Sequence, residues 1–145
     1  MLNRGDKIRV LIADDRQLLR SGLRALFCRT PDIECVGEAS DGREAVELAS
    51  RLTPDIVTMD FDMPRLDGLQ ATGQICAQQP NVRILIVAMS YDEGLVRRAL
   101  ECGAKGYVTK LDMYDELVPA IRAVHGGQSY FSTRIALLWN GNKSS

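Results

Sequence analysis

Soft metal ligands are scarce in this chain. One histidine, His125, and four cysteines at positions 28, 35, 76 and 102 are spread over 145 residues. No two cysteines form a C-x-x-C pair, which excludes a zinc site or a disulfide framework, so the four read as buried thiols in a reducing compartment. An excess of either charge is missing too. With 18 basic against 19 acidic side chains, nothing in bulk electrostatics draws this segment to nucleic acid. No apolar run approaches the roughly 20 residues of a membrane span. Residues 1–7 (MLNRGDK) lack the apolar centre of a signal peptide. There are no internal repeats. The expectation is a soluble cytoplasmic domain with no membrane partner, of a length that suits one core.

Short apolar runs take the place of long ones. Residues 8–13 (IRVLIA), 33–39, 56–59, 83–88 (RILIVA) and 106–109 read as five strands. Between them lie helical patterns. Over residues 17–29, Leu18, Leu19, Leu23, Leu26 and Phe27 recur at helical spacing. Asp41-Gly42 opens a second helix, with Ala45, Val46, Leu48, Ala49 and Leu52 on one face and Pro54 closing it. A third spans about 68–79 and stops at Pro80-Asn81; a fourth starts at Asp92-Glu93 and ends at Gly103. Asp112 caps the fifth, which turns Leu117, Val118, Ile121 and Val124 inward and ends at Gly126-Gly127. Pro119 inside it predicts a kink or an irregular first turn. Strands alternating with helices at short spacing predict an α/β doubly wound parallel sheet with helices on both faces. Residues 1–127 form that single domain. Residues 128–145 read as a linker stub or frayed tail, with Ser132-Thr133 able to cap a short helix through Trp139 ahead of the polar stretch 140–145.

The chain is organised around residues 55–68, DIVTMDFDMPRLDG. Ile56, Val57 and Met59, with β-branched Thr58 among them, describe a strand buried on both faces. Pro64 ends its ladder, leaving Asp60 at the carboxyl end of a central strand, where open α/β sheets bind ligands. In a parallel sheet the first, third and fifth strands finish at the same edge. That brings Asp14, Asp15, Asp60 and Lys110 around one shallow site. Carboxylates this close resist joint ionisation unless a cation intervenes. Hard oxygen donors with room for water suit Mg²⁺. An exposed Asp60 carboxylate is then a nucleophile for phosphorus, giving an acyl phosphate, with the metal and Lys110 neutralising the phosphoryl charge. Taken singly, these residues are a helix cap, a surface lysine and turn chemistry. Their convergence from three strand ends is what points to a reaction.

Three strings carry a family resemblance: LIADD at 11–15, the 55–68 stretch, and GAKGYVTK at 103–110. Over about residues 7–127 the chain resembles a bacterial two-component response regulator receiver domain. The string DDRQLLRSGLRALF resembles the NarL/FixJ (LuxR-type) branch. The resemblance implies a flavodoxin-like five-stranded sheet of order 2-1-3-4-5. It implies Asp60 as the acceptor of a phosphoryl group from a sensor histidine kinase or small phosphodonor. Asp15 and Asp60 would be direct Mg²⁺ ligands, Asp14 a water-mediated one and the Asp62 backbone carbonyl a further one, with Lys110 on the phosphoryl group. Tyr107 matches the aromatic whose rotamer reports phosphorylation. Helix four, strand five and helix five match the output surface of a homodimer. Such a domain assists its own phosphorylation and dephosphorylation without being a conventional enzyme. It reaches DNA, and so transcription, through a C-terminal helix-turn-helix; nothing after Gly127 resembles one, so a truncated regulator is expected here, with a stand-alone receiver as the alternative.

The chain departs from the family at Ala88, where Ser or Thr is usual at the end of strand four. A methyl group donates no hydrogen bond, so attenuated switching is expected. Ser90 substitutes only if its loop folds back. Leu111 in place of a common proline puts little in doubt. Two other readings remain open: a pseudo-receiver that only binds proteins, and a haloacid-dehalogenase-like phosphatase using Asp60-Phe-Asp62 as its D-x-D. A flavin or dinucleotide cradle is disfavoured, because the loop after strand one is Asp-Asp-Arg-Gln.

Overall fold

β3 (Ile56–Asp60) is buried along its whole length. It lies between β1 (Ile8–Ala13) and β4 (Arg83–Ala88) and pairs in parallel with both, Met59 standing opposite Ala13 on one side and Ile86 on the other. β2 (Ile33–Ala39) flanks β1, and β5 (Gly106–Thr109) flanks β4. The structure, a computed structural model, describes residues 7–143 and side chains up to Leu138.

Alternation along each strand sends neighbouring side chains to opposite faces. Leu11, Val57, Ile84 and Tyr107 face one cluster, which receives Ala45 and Ala49 of α2 (Gly42–Leu52), Ile75 of α3 (Gly68–Gln78) and Val96 and Ala99 of α4 (Glu93–Glu101). Ile12, Ile56, Leu85 and Val108 face the other, against Leu23 and Phe27 of α1 (Gln17–Cys28) and Leu117, Ile121 and Val124 of α5 (Met113–His125). The doubly wound order β2-β1-β3-β4-β5 is as expected. Leu18 is not part of its core: it is 87% exposed. Leu19, Leu23 and Phe27 form the inward stripe at i, i+4 and i+8, and Leu18 stands about 100° away from it. Cys28 is likewise exposed, and the other three cysteines are only partly buried. Among the described residues no helix is long and apolar enough to cross a membrane.

Three helices start on aspartate caps: Asp41 accepts from the Glu44 N–H, Asp67 from that of Gln70, and Asp92 from that of Leu95. Asp112 takes the cap position of α5, but its carboxylate does not cap. It accepts from Thr109 Oγ1 and Arg134 Nε instead. The Asp115 and Glu116 N–H groups share the Asp112 carbonyl, an irregular first turn, and the helix then runs on through Pro119.

The tail holds a further element. Residues Tyr130–Phe131 form β6, pairing in parallel with Gly106 and Tyr107, so the sheet has six strands rather than five. A Cβ on Gly106 would stand 2.6 Å from the Tyr130 carbonyl oxygen, so this close pairing needs glycine. α6 (Thr133–Lys143) follows, and its backbone stays helical past Trp139. Ser132 is fully buried; its hydroxyl accepts the Thr109 N–H at 2.9 Å, tying the start of α6 to the end of β5. Ile135 seats this segment in the core.

Candidate functional site

Each participant comes from a strand end at the carboxyl edge. Asp14 and Asp15 follow β1, Asp60 ends β3, and Lys110 follows β5. Lys110 Nζ stands 3.2 Å from Asp14 Oδ2 and 3.1 Å from Asp60 Oδ1. Asp14, Asp15 and Asp60 each bring one carboxylate oxygen to within 4.8 Å of the others. All four predicted side chains therefore meet.

The expectation of an exposed Asp60 is corrected. Asp60 is 4% exposed, because Lys110 lies against it and is itself 8% exposed. Burial pushes the Asp60 carboxyl up to about 6; the charge on Asp14 adds to this and Lys110 opposes it. One ammonium against three carboxylates leaves the cluster net negative. Hard, convergent oxygens with uncompensated charge are what a small divalent cation requires, so the donor set fits Mg²⁺.

The frame holds these groups still. The Arg16 N–H donates to Asp14 Oδ1 at 2.8 Å, and Arg20 Nη1 donates to the Asp14 carbonyl at 2.6 Å. Glu38 in turn holds Arg20 at 3.1 Å and Arg24 at 2.9 Å. The Lys110 N–H donates to the Ala88 carbonyl at 2.9 Å. Gly68 crosses so close to β3 that a Cβ there would sit 2.1 Å from the Asp60 carbonyl oxygen. Asp62 is exposed, and its N–H reaches Asp60 Oδ1 at 3.3 Å. Sequence patterns marked Ser132 only as a helix cap and did not point to Arg20, whose only trace is its i, i+4 spacing with Arg24.

The far side of the site is apolar. Ala88, 3% exposed, ends β4 opposite Thr109. Ser90 is exposed and takes part through its carbonyl, which accepts the Tyr107 hydroxyl at 2.5 Å. Tyr107 is fully buried, and that burial raises its hydroxyl well above the usual phenol range.

Comparison with known proteins agrees with this geometry. Residues 10–122 match the family model described as "Response regulator receiver domain". The chain is 40% identical over 129 residues to the transcriptional regulatory protein LiaR of Bacillus subtilis, covering 89% of this chain and 61% of that protein. It is 37% identical to the response regulator GacA of Pseudomonas aeruginosa, covering 89% and 60%. The chain thus spans about three-fifths of the length of these relatives. Among solved structures, a two-component response regulator of the LuxR family from an Aurantimonas species superposes with a TM-score of 0.91 at 37% identity, over 96% of this chain and 99% of that one. The receiver domain of the NarL regulator of Mycobacterium tuberculosis superposes with a TM-score of 0.81 at 31% identity, over 85% and 99%. With its acidic strand ends, its lysine and its sheet order in place, this chain belongs to the two-component response regulator receiver domains of the NarL/FixJ, LuxR-type branch.

Proposed function

We propose that the domain takes a phosphoryl group onto Asp60. The observation that carries this reading is Lys110 Nζ at 3.1 Å from Asp60 and 3.2 Å from Asp14, beside three converging carboxylates. An Asp60 carboxylate oxygen forms the new bond to phosphorus. The bond from phosphorus to the donor breaks, and its electron pair leaves with the donor: a histidine nitrogen of a sensor kinase, or the acetate of acetyl phosphate. Lys110 exchanges its contact with Asp60 for one with a phosphoryl oxygen, so one buried cation serves both states. Asp15, Asp60 and the Asp62 carbonyl would hold Mg²⁺, with Asp14 acting through water; when bound it neutralises phosphoryl charge. Hydrolysis of the acyl phosphate resets the site.

The relatives are named as transcriptional regulators and are longer. We assign residues 128–145 as the link towards a DNA-binding output domain, with phosphorylation favouring a homodimer in the cytoplasm. Ala88 weakens that coupling, since its methyl cannot grip the phosphoryl group while Tyr107 is already turned inward onto Ser90.

Incubation with acetyl phosphate and Mg²⁺, read by intact mass, tests the assignment. A single phosphoryl adduct that Asp60→Asn abolishes is expected. No adduct would leave the protein-binding pseudo-receiver, a reading that Ala88 keeps open and the acidic trio with Lys110 counts against. The phosphatase reading has less support: Asp62 meets Asp60 through its main chain. Turnover of a chromogenic phosphate ester that Asp62→Asn stops would reverse that ranking.

A further inference from the structure

The loop leaving Asp60 is tied down at a place remote from the carboxylates. Arg65 takes φ 68°, a left-handed conformation that strains any residue bearing a Cβ. Across it the Leu66 N–H donates to the Pro64 carbonyl at 2.8 Å, closing a three-residue γ-turn of the rare, strained hand. The group that holds Arg65 there lies outside the loop. Arg65 Nε and Nη2 donate to Asp41 Oδ2 at 3.1 and 2.6 Å. The other oxygen, Asp41 Oδ1, accepts the Glu44 N–H at 2.8 Å and caps α2. Asp41 is 4% exposed, so its carboxylate is a fixed anchor rather than a mobile surface group. Beside it, a Cβ on Gly42 would lie 1.9 Å from the Leu66 carbonyl oxygen: the first turn of α2 sits directly on the strained turn. Gly68 fixes the far end, donating its N–H to the Phe61 carbonyl at 3.0 Å. Between these anchors lies Asp62, whose N–H reaches Asp60.

We propose that Arg65, held by Asp41, is a positioning residue for the metal side of the site: it keeps the strained turn in place so that the Asp62 main chain faces Asp60 before the cation arrives. The proposal rests on reading Asp60 as a Mg²⁺-assisted phospho-acceptor. Arg65 itself touches neither Asp60 nor the cation. Glycine at this position would adopt φ 68° without strain, but would also leave it freely. Arginine supplies a tether that glycine cannot.

Arg65→Gly separates positioning from stability, because it relieves the strain and removes the tether together. Its melting temperature without Mg²⁺ is expected to stay within a few degrees of the wild type, the strain relieved at φ 68° offsetting the partner lost to Asp41 Oδ2. Calorimetric titration with Mg²⁺ alone is expected to show binding weakened several-fold, less than the roughly tenfold or more that follows loss of a group bonded directly to a metal ligand, since Arg65 touches none. The Mg²⁺ needed for half-maximal acetyl-phosphate labelling should rise equally, with the rate at saturating Mg²⁺ retained. Asp41→Asn keeps an oxygen for the Glu44 N–H and should reproduce the defect. The double variant should add little, as expected of two ends of one contact, and Arg65→Lys should restore part of the affinity. Unchanged Mg²⁺ affinity in both single variants, with a wild type that binds Mg²⁺ and is labelled on Asp60, overturns the positioning role alone. A wild type that binds Mg²⁺ without labelling overturns the phospho-acceptor reading, while the titrations still decide the role of Arg65. A wild type that binds no Mg²⁺ overturns both.

Discussion

The two sides of the site are built from different forces. On the side of β1 and β3, buried carboxylates, one ammonium and an arginine frame hold each other by charge. On the side of β4 and β5, a methyl group and a buried phenol face the site, and the hydroxyls there bond to neighbouring loops, Tyr107 to the Ser90 carbonyl and Thr109 to Asp112. The acidic side is costly to assemble and has only a cation to relieve it, which is the condition for chemistry. The apolar side presents the buried methyl of Ala88 where a hydroxyl would be needed to bond a phosphoryl oxygen. On the function proposed above, capture and readout are therefore separable.

Removing the ammonium strains the comparison most. Lys110→Ala leaves Asp14 and Asp60 buried without a cation, and breaking a buried pair costs about 3–5 kcal/mol. Part of that loss should return as the pH falls and the carboxyls protonate. Urea denaturation at pH 7.5 and pH 5 checks this; equal losses at both would mean that Lys110 does not offset those charges.

Asp60→Asn works in the opposite direction. The folded pKa of about 6 lies above the roughly 3.9 of an unfolded aspartate. Between those values the folded chain binds more protons than the unfolded one, so this group's contribution to stability falls as pH rises towards 6 and is constant above it. The amide should stabilise the protein by about 3 kcal/mol at pH 7.5, and the gain should vanish below about pH 4. A gain independent of pH would place its origin outside this ionisation. Mg²⁺ should narrow the difference by stabilising the wild type alone.

How far the sequence reveals each side follows the same division. The meeting of Asp14, Asp15, Asp60 and Lys110 was legible because parallel strands with short crossovers must finish at one edge. The burial of Asp60 was not, since it depends on where a flexible lysine lies. β6 has two residues, too few for any periodicity to register. The Arg65–Asp41 pair joins positions 24 residues apart with no local pattern between them. Asp112 looks like a cap by spacing, yet Thr109 and Arg134 claim its carboxylate.

Ala88→Thr sharpens the contrast by giving the apolar side its missing donor. A hydrogen bond to a charged group contributes about 1.5–3 kcal/mol. Phosphorylation-dependent dimerisation should strengthen by about tenfold, with the labelling rate little changed. Sedimentation of labelled and unlabelled protein measures it, and no difference from wild type would remove the claim of attenuated switching.

The smallest effect belongs to the phenol itself. Tyr107→Phe deletes the bond to the Ser90 carbonyl and leaves the ring in its apolar site, so stability should drop by about 1 kcal/mol. The loosened segment is the loop between β4 and α4, and faster amide exchange at residues 89–92 is expected there. Labelling of Asp60 should be unaffected, because Ala88 offers no route from the phosphoryl group to the phenol. A Tyr107→Phe variant that labels markedly more slowly would show that the two sides are coupled after all, through the Lys110 N–H on the Ala88 carbonyl, and the separation of capture from readout would have to be abandoned.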